Sequence, residues 1–250
     1  MTAISTAVGS ERLSRTTGYK IGKLFPSNET ENLPQKIVII GQANTANEAL
    51  ISLDAQEIIS AEEAGKIFGY GSPIHSVMRI LRPTTSEGVG GIPTIVIPQK
   101  VAEGATASTK TFTVTGTALQ NITQVVKVAG RESLDFQSYS FSISKGETAT
   151  QIATKIANSV NKVLGSPLTA AATTDTVVFT SKFKGEVSKD IEIEFLSDAI
   201  ETGITYAQTE KTDGSGLADF SNLKDYFGQE WYTIVLNTYG QNAMSLLQDI

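Results

Sequence analysis

The chain has 250 residues, with 20 Lys plus Arg against 26 Asp plus Glu, one His and no Cys. Without thiols there are no disulfides, thiolate metal sites, iron–sulfur ligands or Cys nucleophiles, and a single imidazole excludes a zinc site needing two or three. Net charge −6 argues against a protein that coats nucleic acid, and no apolar run nears the roughly 18 residues that span a bilayer.

The first thirty residues carry four basic and two acidic groups, with no sustained period and no apolar core like that of a signal peptide. Residues 1–30 therefore read as an extended N-terminal arm. Order begins at Lys36-Ile-Val-Ile-Ile-Gly41, a short apolar run suited to a buried, parallel or central strand. Ser60-Ala-Glu-Glu63 spells a capping box, in which hydroxyl and carboxylate satisfy orphan helix amides. Ser72-Pro73 opens a second helix, whose Ile74, Val77, Met78 and Leu81 form one apolar stripe before Pro83 stops it. Ile92–Pro98 is the next strand. Strand, helix and strand in succession mark an α/β layer.

Composition shifts after about residue 100. Of 30 Thr, 21 lie beyond that point, many in alternating runs such as Thr109-Lys-Thr-Phe-Thr-Val-Thr115. Branched Thr side chains favour a pleated surface. Further strands are expected at Gln124–Gly130, Ser138–Ile143, Thr176–Ser181 and Asp190–Phe195. One helix interrupts them, capped by Ser144-Lys-Gly-Glu147, lined by Ile152, Ile156, Val160 and Val163, and stopped by Gly165 and Pro167. The α/β rhythm then returns, with a helix over Leu217, Phe220 and Leu223 ending near Gly228. A strand follows at Glu230–Asn237, then a last helix over Met244, Leu246, Leu247 and Ile250. The fold class is an α/β core layer (31–107 plus 213–250) with an inserted β-rich α+β domain (108–212). About three α/β strands are fewer than a usual sheet holds, so the layer reads as incomplete.

Candidate chemistry is sparse. His75, the one imidazole, stands in Gly71-Ser-Pro-Ile-His75, where a hydrolase would pair it with Ser72 and a carboxylate such as Asp54. No nucleophile elbow surrounds that Ser, and a polar residue on a helix surface is the plainer reading. S-x-x-K occurs at Ser142/Lys145, Ser159/Lys162 and Ser221/Lys224 without its partner motifs. Asp190, Glu192 and Glu194 would share one face of a strand at about 7 Å spacing, either as a solvated face or as calcium ligands. Gly69-Tyr-Gly71 and Gly88-Val-Gly-Gly91 complete no phosphate-binding pattern, and Trp231 and Tyr232 read as sheet-face residues. No catalytic, cofactor or metal residue is assigned.

Several stretches, in order, resemble the tail sheath proteins of contractile-tailed bacteriophages of the phage Mu type. Phe68-Gly-Tyr-Gly71-Ser-Pro-Ile-His-Ser-Val-Met-Arg79 is similar to that family's Gly-x-Gly-Ser-Pro-Leu entry into a helix carrying Met. Val126-Lys-Val-Ala-Gly130 is similar to its I-x-G strand, and Ser144–Asn158 to its Gly-Asp-Thr-Ala helix. Val178–Gly185 followed by Asp190-Ile-Glu-Ile resembles its Thr-ended strand, basic-Gly turn and Asn-Asp-Ile strand, with Val187-Ser188-Lys189 replacing the usual Gly-Asn pair. Tyr226–Leu236 resembles the strand before a helix with an Asn near its start, here Asn242.

The resemblance implies a non-enzymatic virion protein, assembled in the host cytoplasm and stacked in rings as a helical sheath of its own copies. Its partners would be the tail tube protein and the baseplate and tail terminator proteins, with no cofactor, nucleic acid or membrane. Extended arms in that family add strands to neighbouring sheets, so the arm, Thr2–Phe25, is expected to do so through Tyr19, Lys20, Ile21, Leu24 and Phe25. The β-rich insertion would face outward. Such sheath proteins continue well past this length, which makes the chain either the N-terminal part of a longer protein or a reduced version. The alternative, from another class, is a β-rich module that binds a receptor or glycan through 108–212.

Overall fold

Val38, Ile39 and Ile40 lie at the centre of a four-stranded sheet, buried on both faces. The computed structural model describes residues 35–85, 88–129, 136–196, 201–227 and 232–240. Strand β1 (Ile37–Gly41) runs parallel to β3 (Thr94–Pro98) on one side and to β13 (Ile234–Asn237) on the other. A fourth strand, β2 (Gln56–Glu57), adds antiparallel to β3, so the order is β13-β1-β3-β2. Sequence patterning missed β2 because two residues carry no period.

Alternation then sorts the side chains. Ile39 and Val96 pack with Phe68, Ile74 and Met78 from the two helices, α1 (Ala61–Phe68) and α2 (Pro73–Leu81). Val38, Ile40 and Ile97 pack on the other face against Phe220, Leu223 and Tyr239. Each such buried aliphatic contributes about 1.5–3 kcal/mol. Helix starts sit where the caps place them. The Ser60 hydroxyl accepts the Glu63 N–H at 3.1 Å, while the Glu63 carboxylate takes the Ile59 N–H at 2.9 Å, one residue earlier than a reciprocal box requires. Ser72 likewise accepts the His75 N–H at 3.2 Å, with Pro73 in the first turn.

The β-rich part comprises β5 (Thr109–Gly116), β6 (Ile122–Ala129), β7 (Phe136–Ile143), α3 (Ala149–Asn161), β8 (Leu168–Thr173), β9 (Thr176–Ser181), β10 (Glu192–Leu196) and β11 (Ile204–Thr212). Two antiparallel sheets result, β10-β6-β7 and β11-β5-β9-β8. Phe112, Val114 and Phe179 from one meet Val126, Val128 and Phe141 from the other, and Ile152, Ile156 and Val160 of α3 close the same cluster. In β5 the core takes Phe112 and Val114 while the intervening Thr residues stay half-buried.

Several elements depart from the sequence reading. The cap of α3 is Thr148, reciprocally bonded with Gln151, not the Ser144–Glu147 pair. Glu147 instead accepts the Ser144 N–H at 3.1 Å inside the turn that precedes the helix. β8 and β11 were not expected, since Leu-Thr-Ala-Ala-Ala-Thr is Ala-rich and β11 buries only Ile204. The helix expected before Gly228 is a short strand, β12 (Ala218–Asp219), paired with β4 (Lys100–Val101), then a 3-10 turn at Ser221–Asp225. Asp190 closes a second 3-10 turn, Glu186–Asp190, instead of opening a strand.

The described residues belong to one compact unit that begins at Gln35, although 108–212 keeps a hydrophobic cluster of its own. Val187 packs against that cluster and against the one holding Val38 and Ile40. The Thr45 N–H donates to the Lys182 carbonyl at 2.9 Å, joining the end of β1 to the end of β9. Residues 1–30, Trp231, Asn242 and the expected last helix lie outside the described residues.

Candidate interaction surfaces

His75 is buried, 5% exposed, and not on a helix surface as the sequence suggested. Its Nδ1 accepts the Gly71 N–H at 3.1 Å, and the Tyr70 ring meets it edge-on at 5.3 Å. Burial, with lesser contributions from the Arg79 and Lys182 charges, lowers its pKa to about 4. Ser72 Oγ serves as the helix cap, and Asp54 accepts the Ser52 hydroxyl at 2.6 Å. Each of the three groups is committed elsewhere, and the fold does not assemble them into a nucleophile, base and orienter. Nor do the S-x-x-K pairs form a unit: Ser159 Oγ donates to the Ile156 carbonyl of its own helix.

The acidic run is divided. Glu192 and Glu194 are exposed on β10, while Asp190 sits in the preceding turn. Glu192 pairs at 3.2 Å with Lys110, whose ammonium is buried and also donates to the Ile191 carbonyl. Among the described residues no three His, Cys, Asp or Glu side chains gather as a metal site would need. Gly71, at φ +82°, does structural work. A Cβ there would stand 2.1 Å from the Ser166 carbonyl oxygen, so the start of α2 presses directly on the loop after α3. The same loop lies against the imidazole, whose Cε1 is 3.5 Å from the position a Cβ on Gly165 would take, and nothing local in the sequence announces it.

What the fold presents outward is surface. β13 lies at one end of its sheet, with Ile234 and Val235 each about half exposed, and β2 forms the other end. A groove of about 250 Å³ runs between α2 and the β-rich part, lined by Pro73, Val77, Ile80, Val128, Phe183 and Ile191. A broader hollow of about 830 Å³ opens between the end of β1 and the loop after α3, with Asn47, Lys66, Tyr70, Leu164 and Lys182 on its wall. The Lys182 ammonium donates to the Leu164 carbonyl at 3.1 Å, and burial lowers its pKa. In the β-rich part Phe112, Tyr139, Phe141, Phe179 and Phe183 are buried, and Phe195 stacks on Tyr206 at 4.3 Å. These rings face inward or each other, unlike the exposed platform a glycan-binding groove requires. Tyr19, Lys20, Ile21, Leu24 and Phe25, the residues expected to act as an arm, lie outside the described residues.

No protein-family model matches the chain. It is similar, at 23% identity over 207 residues, to the Mu-like prophage FluMu tail sheath protein of Haemophilus influenzae. That similarity is distant, but it takes in 82% of this chain and agrees with the resemblance carried by the Gly71 and Val126–Asp190 motifs. The chain spans about 40% of the length of that relative.

Proposed function

We propose that the chain is a structural, non-enzymatic component of a contractile phage tail sheath. The observation that carries this reading is the similarity to a tail sheath protein along 82% of the chain. The chemistry is consistent with it. The one imidazole is held neutral inside the fold, and the candidate nucleophile is spent as a helix cap. In this reading the sheet β13-β1-β3-β2 with its helices is the sheath-type α/β core, and 108–212 is an inserted β-rich domain facing outward.

Subunits would stack in rings around a tail tube and contract when rigid bodies exchange one set of interfaces for another. Such a switch draws on the difference in interface free energy between two packings and needs no nucleotide. The arm, Thr2–Phe25, would add a strand to a neighbour's sheet, where backbone hydrogen bonds supply affinity with little demand on sequence. The tail tube, baseplate and tail terminator proteins are the other partners. Assembly takes place in the host cytoplasm and the product belongs to the virion.

Immunogold electron microscopy of phage particles carrying the chain tests the reading, with antibody raised against residues 35–240. Label repeated along the tail shaft, on extended and contracted tails alike, is the expected result. Label confined to the tail tip or the capsid would refute the sheath assignment, and tip label would favour a receptor-binding module instead.

A further inference from the structure

Two exposed patches of opposite charge, each with apolar residues at its centre, lie on different elements of this unit. The first surrounds the loop after α3. Val163 and Leu164 there are 40% and 63% exposed, with Lys162 beside them. Arg79, on the outer side of α2, reaches the same loop, its Nη1 lying 3.9 Å from the position a Cβ on Gly165 would take. Lys182 is tied to the Leu164 carbonyl. Among the described residues no carboxylate pairs with Arg79, Lys162 or Lys182.

The second patch is the stretch leading into and out of β2. Leu50, Leu53 and Ile59 are 83%, 38% and 68% exposed, and Asp54 and Glu57 stand among them. Asp54 binds only the Ser52 hydroxyl and Glu57 pairs with no cation among the described residues. β2 is the outer strand of its sheet, two strands from β1, over which α2 packs through Ile74. The acidic edge of one copy is thus free to meet the cationic face of another.

We infer that the Leu50–Ile59 edge of one copy docks on the Arg79, Lys162–Leu164 and Lys182 face of a second copy. Burying five exposed apolar side chains supplies the attraction, and the unpaired charges set the register and exclude like-with-like pairing. Because the two surfaces differ, the contact is head-to-tail and not two-fold, and repetition yields a ring or a helix. The proposal rests on the sheath reading only in taking the partner to be a second copy.

The absence of Cys allows a direct test. Purified chains bearing Ile59→Cys and Leu164→Cys are mixed, oxidised and run on a non-reducing gel, with Ile59→Cys plus Thr209→Cys on the exposed part of β11 as the control pair. The expected result is at least tenfold more mixed dimer from the first pair. Arg79→Glu with Lys162→Glu, both at exposed positions, should return it to the control level, and adding Asp54→Lys with Glu57→Lys to the partner chain should restore it. Dimer no greater than the control, or indifference to the charge reversals, overturns the contact. Sedimentation velocity separates the two claims. Association with concentration but no Ile59–Leu164 link refutes this contact alone, whereas immunogold label away from the tail shaft refutes the sheath reading.

Discussion

Acidification should place a proton on an imidazole that the fold keeps neutral. His75 has its pKa lowered to about 4, first by burial and then by Arg79 and Lys182. In the unfolded chain an ordinary imidazole titrates near 6.5. Above about pH 6.5 neither state is protonated, and His75 contributes no pH dependence. Between about 6.5 and 4 only the unfolded state takes up the proton, so stability falls by about 1.4 kcal/mol per pH unit, roughly 3 kcal/mol across the window. Below about 4 both states bind the proton and this loss levels off. Carboxylates add their own dependence, which a variant cancels. Urea unfolding of the parent and of His75→Gln, followed by circular dichroism from pH 7 to pH 4, should give curves that cross near about pH 6, the variant ending more stable by about 2 kcal/mol at pH 4. At pH 7 the variant should be less stable by about 1 kcal/mol, because the Gly71 N–H loses its Nδ1 acceptor. Parallel curves, or an NMR midpoint for His75 near 6.5, would refute the argument.

Gly71→Ala should destabilise the chain by at least about 2 kcal/mol in thermal melts, since it combines a left-handed φ of +82° with a clash at the Ser166 carbonyl. Phe179→Ala, which empties the centre of the β-rich cluster at a side chain 1% exposed, should cost about 3–5 kcal/mol by denaturant midpoint. Lys110→Met removes the donor to the Ile191 carbonyl and should cost about 1–3 kcal/mol, while Glu192→Gln, at a carboxylate 68% exposed, should stay under about 1 kcal/mol. Equal losses from those two variants would show that the ion pair, and not the backbone bond, sets the value of Lys110. Deleting residues 1–25 should abolish assembly in negative-stain micrographs with the circular dichroism spectrum of the fold retained; tubes of normal length would contradict the arm's role.

Local patterns were legible wherever one short stretch determined the outcome. Ile37–Gly41 is apolar throughout because both faces of β1 are covered, and Ser60 and Ser72 start helices because their hydroxyls replace missing amide acceptors. The start of α3 was ambiguous, since Ser144-x-x-Glu147 and Thr148-x-x-Gln151 spell the same motif. Gly146, at φ +88°, turns the chain inside the first and leaves the second as the cap. β8 and β11 were invisible because neighbouring strands, not their own Ala and polar residues, hold them in place. His75 lies against the loop that holds Gly165 and Ser166, about ninety positions along the chain, and the cationic face is built on the same loop. No window of local sequence contains both halves of that contact.

Synthesis imposes an order on the central sheet. β1 can pair with β3 once Pro98 has left the ribosome, but its other partner, β13, begins at Ile234. At about 5–20 residues per second, that interval lasts roughly 7–30 s. Throughout it the second edge of an apolar parallel strand stands unpaired, in the state most prone to join a strand of another nascent chain. The β-rich part, whose sheets close within 109–212, is complete before the wait ends. Placed between β3 and β13 in the chain, it is the second folded body, after α1 and α2, that the open sheet has to lean on.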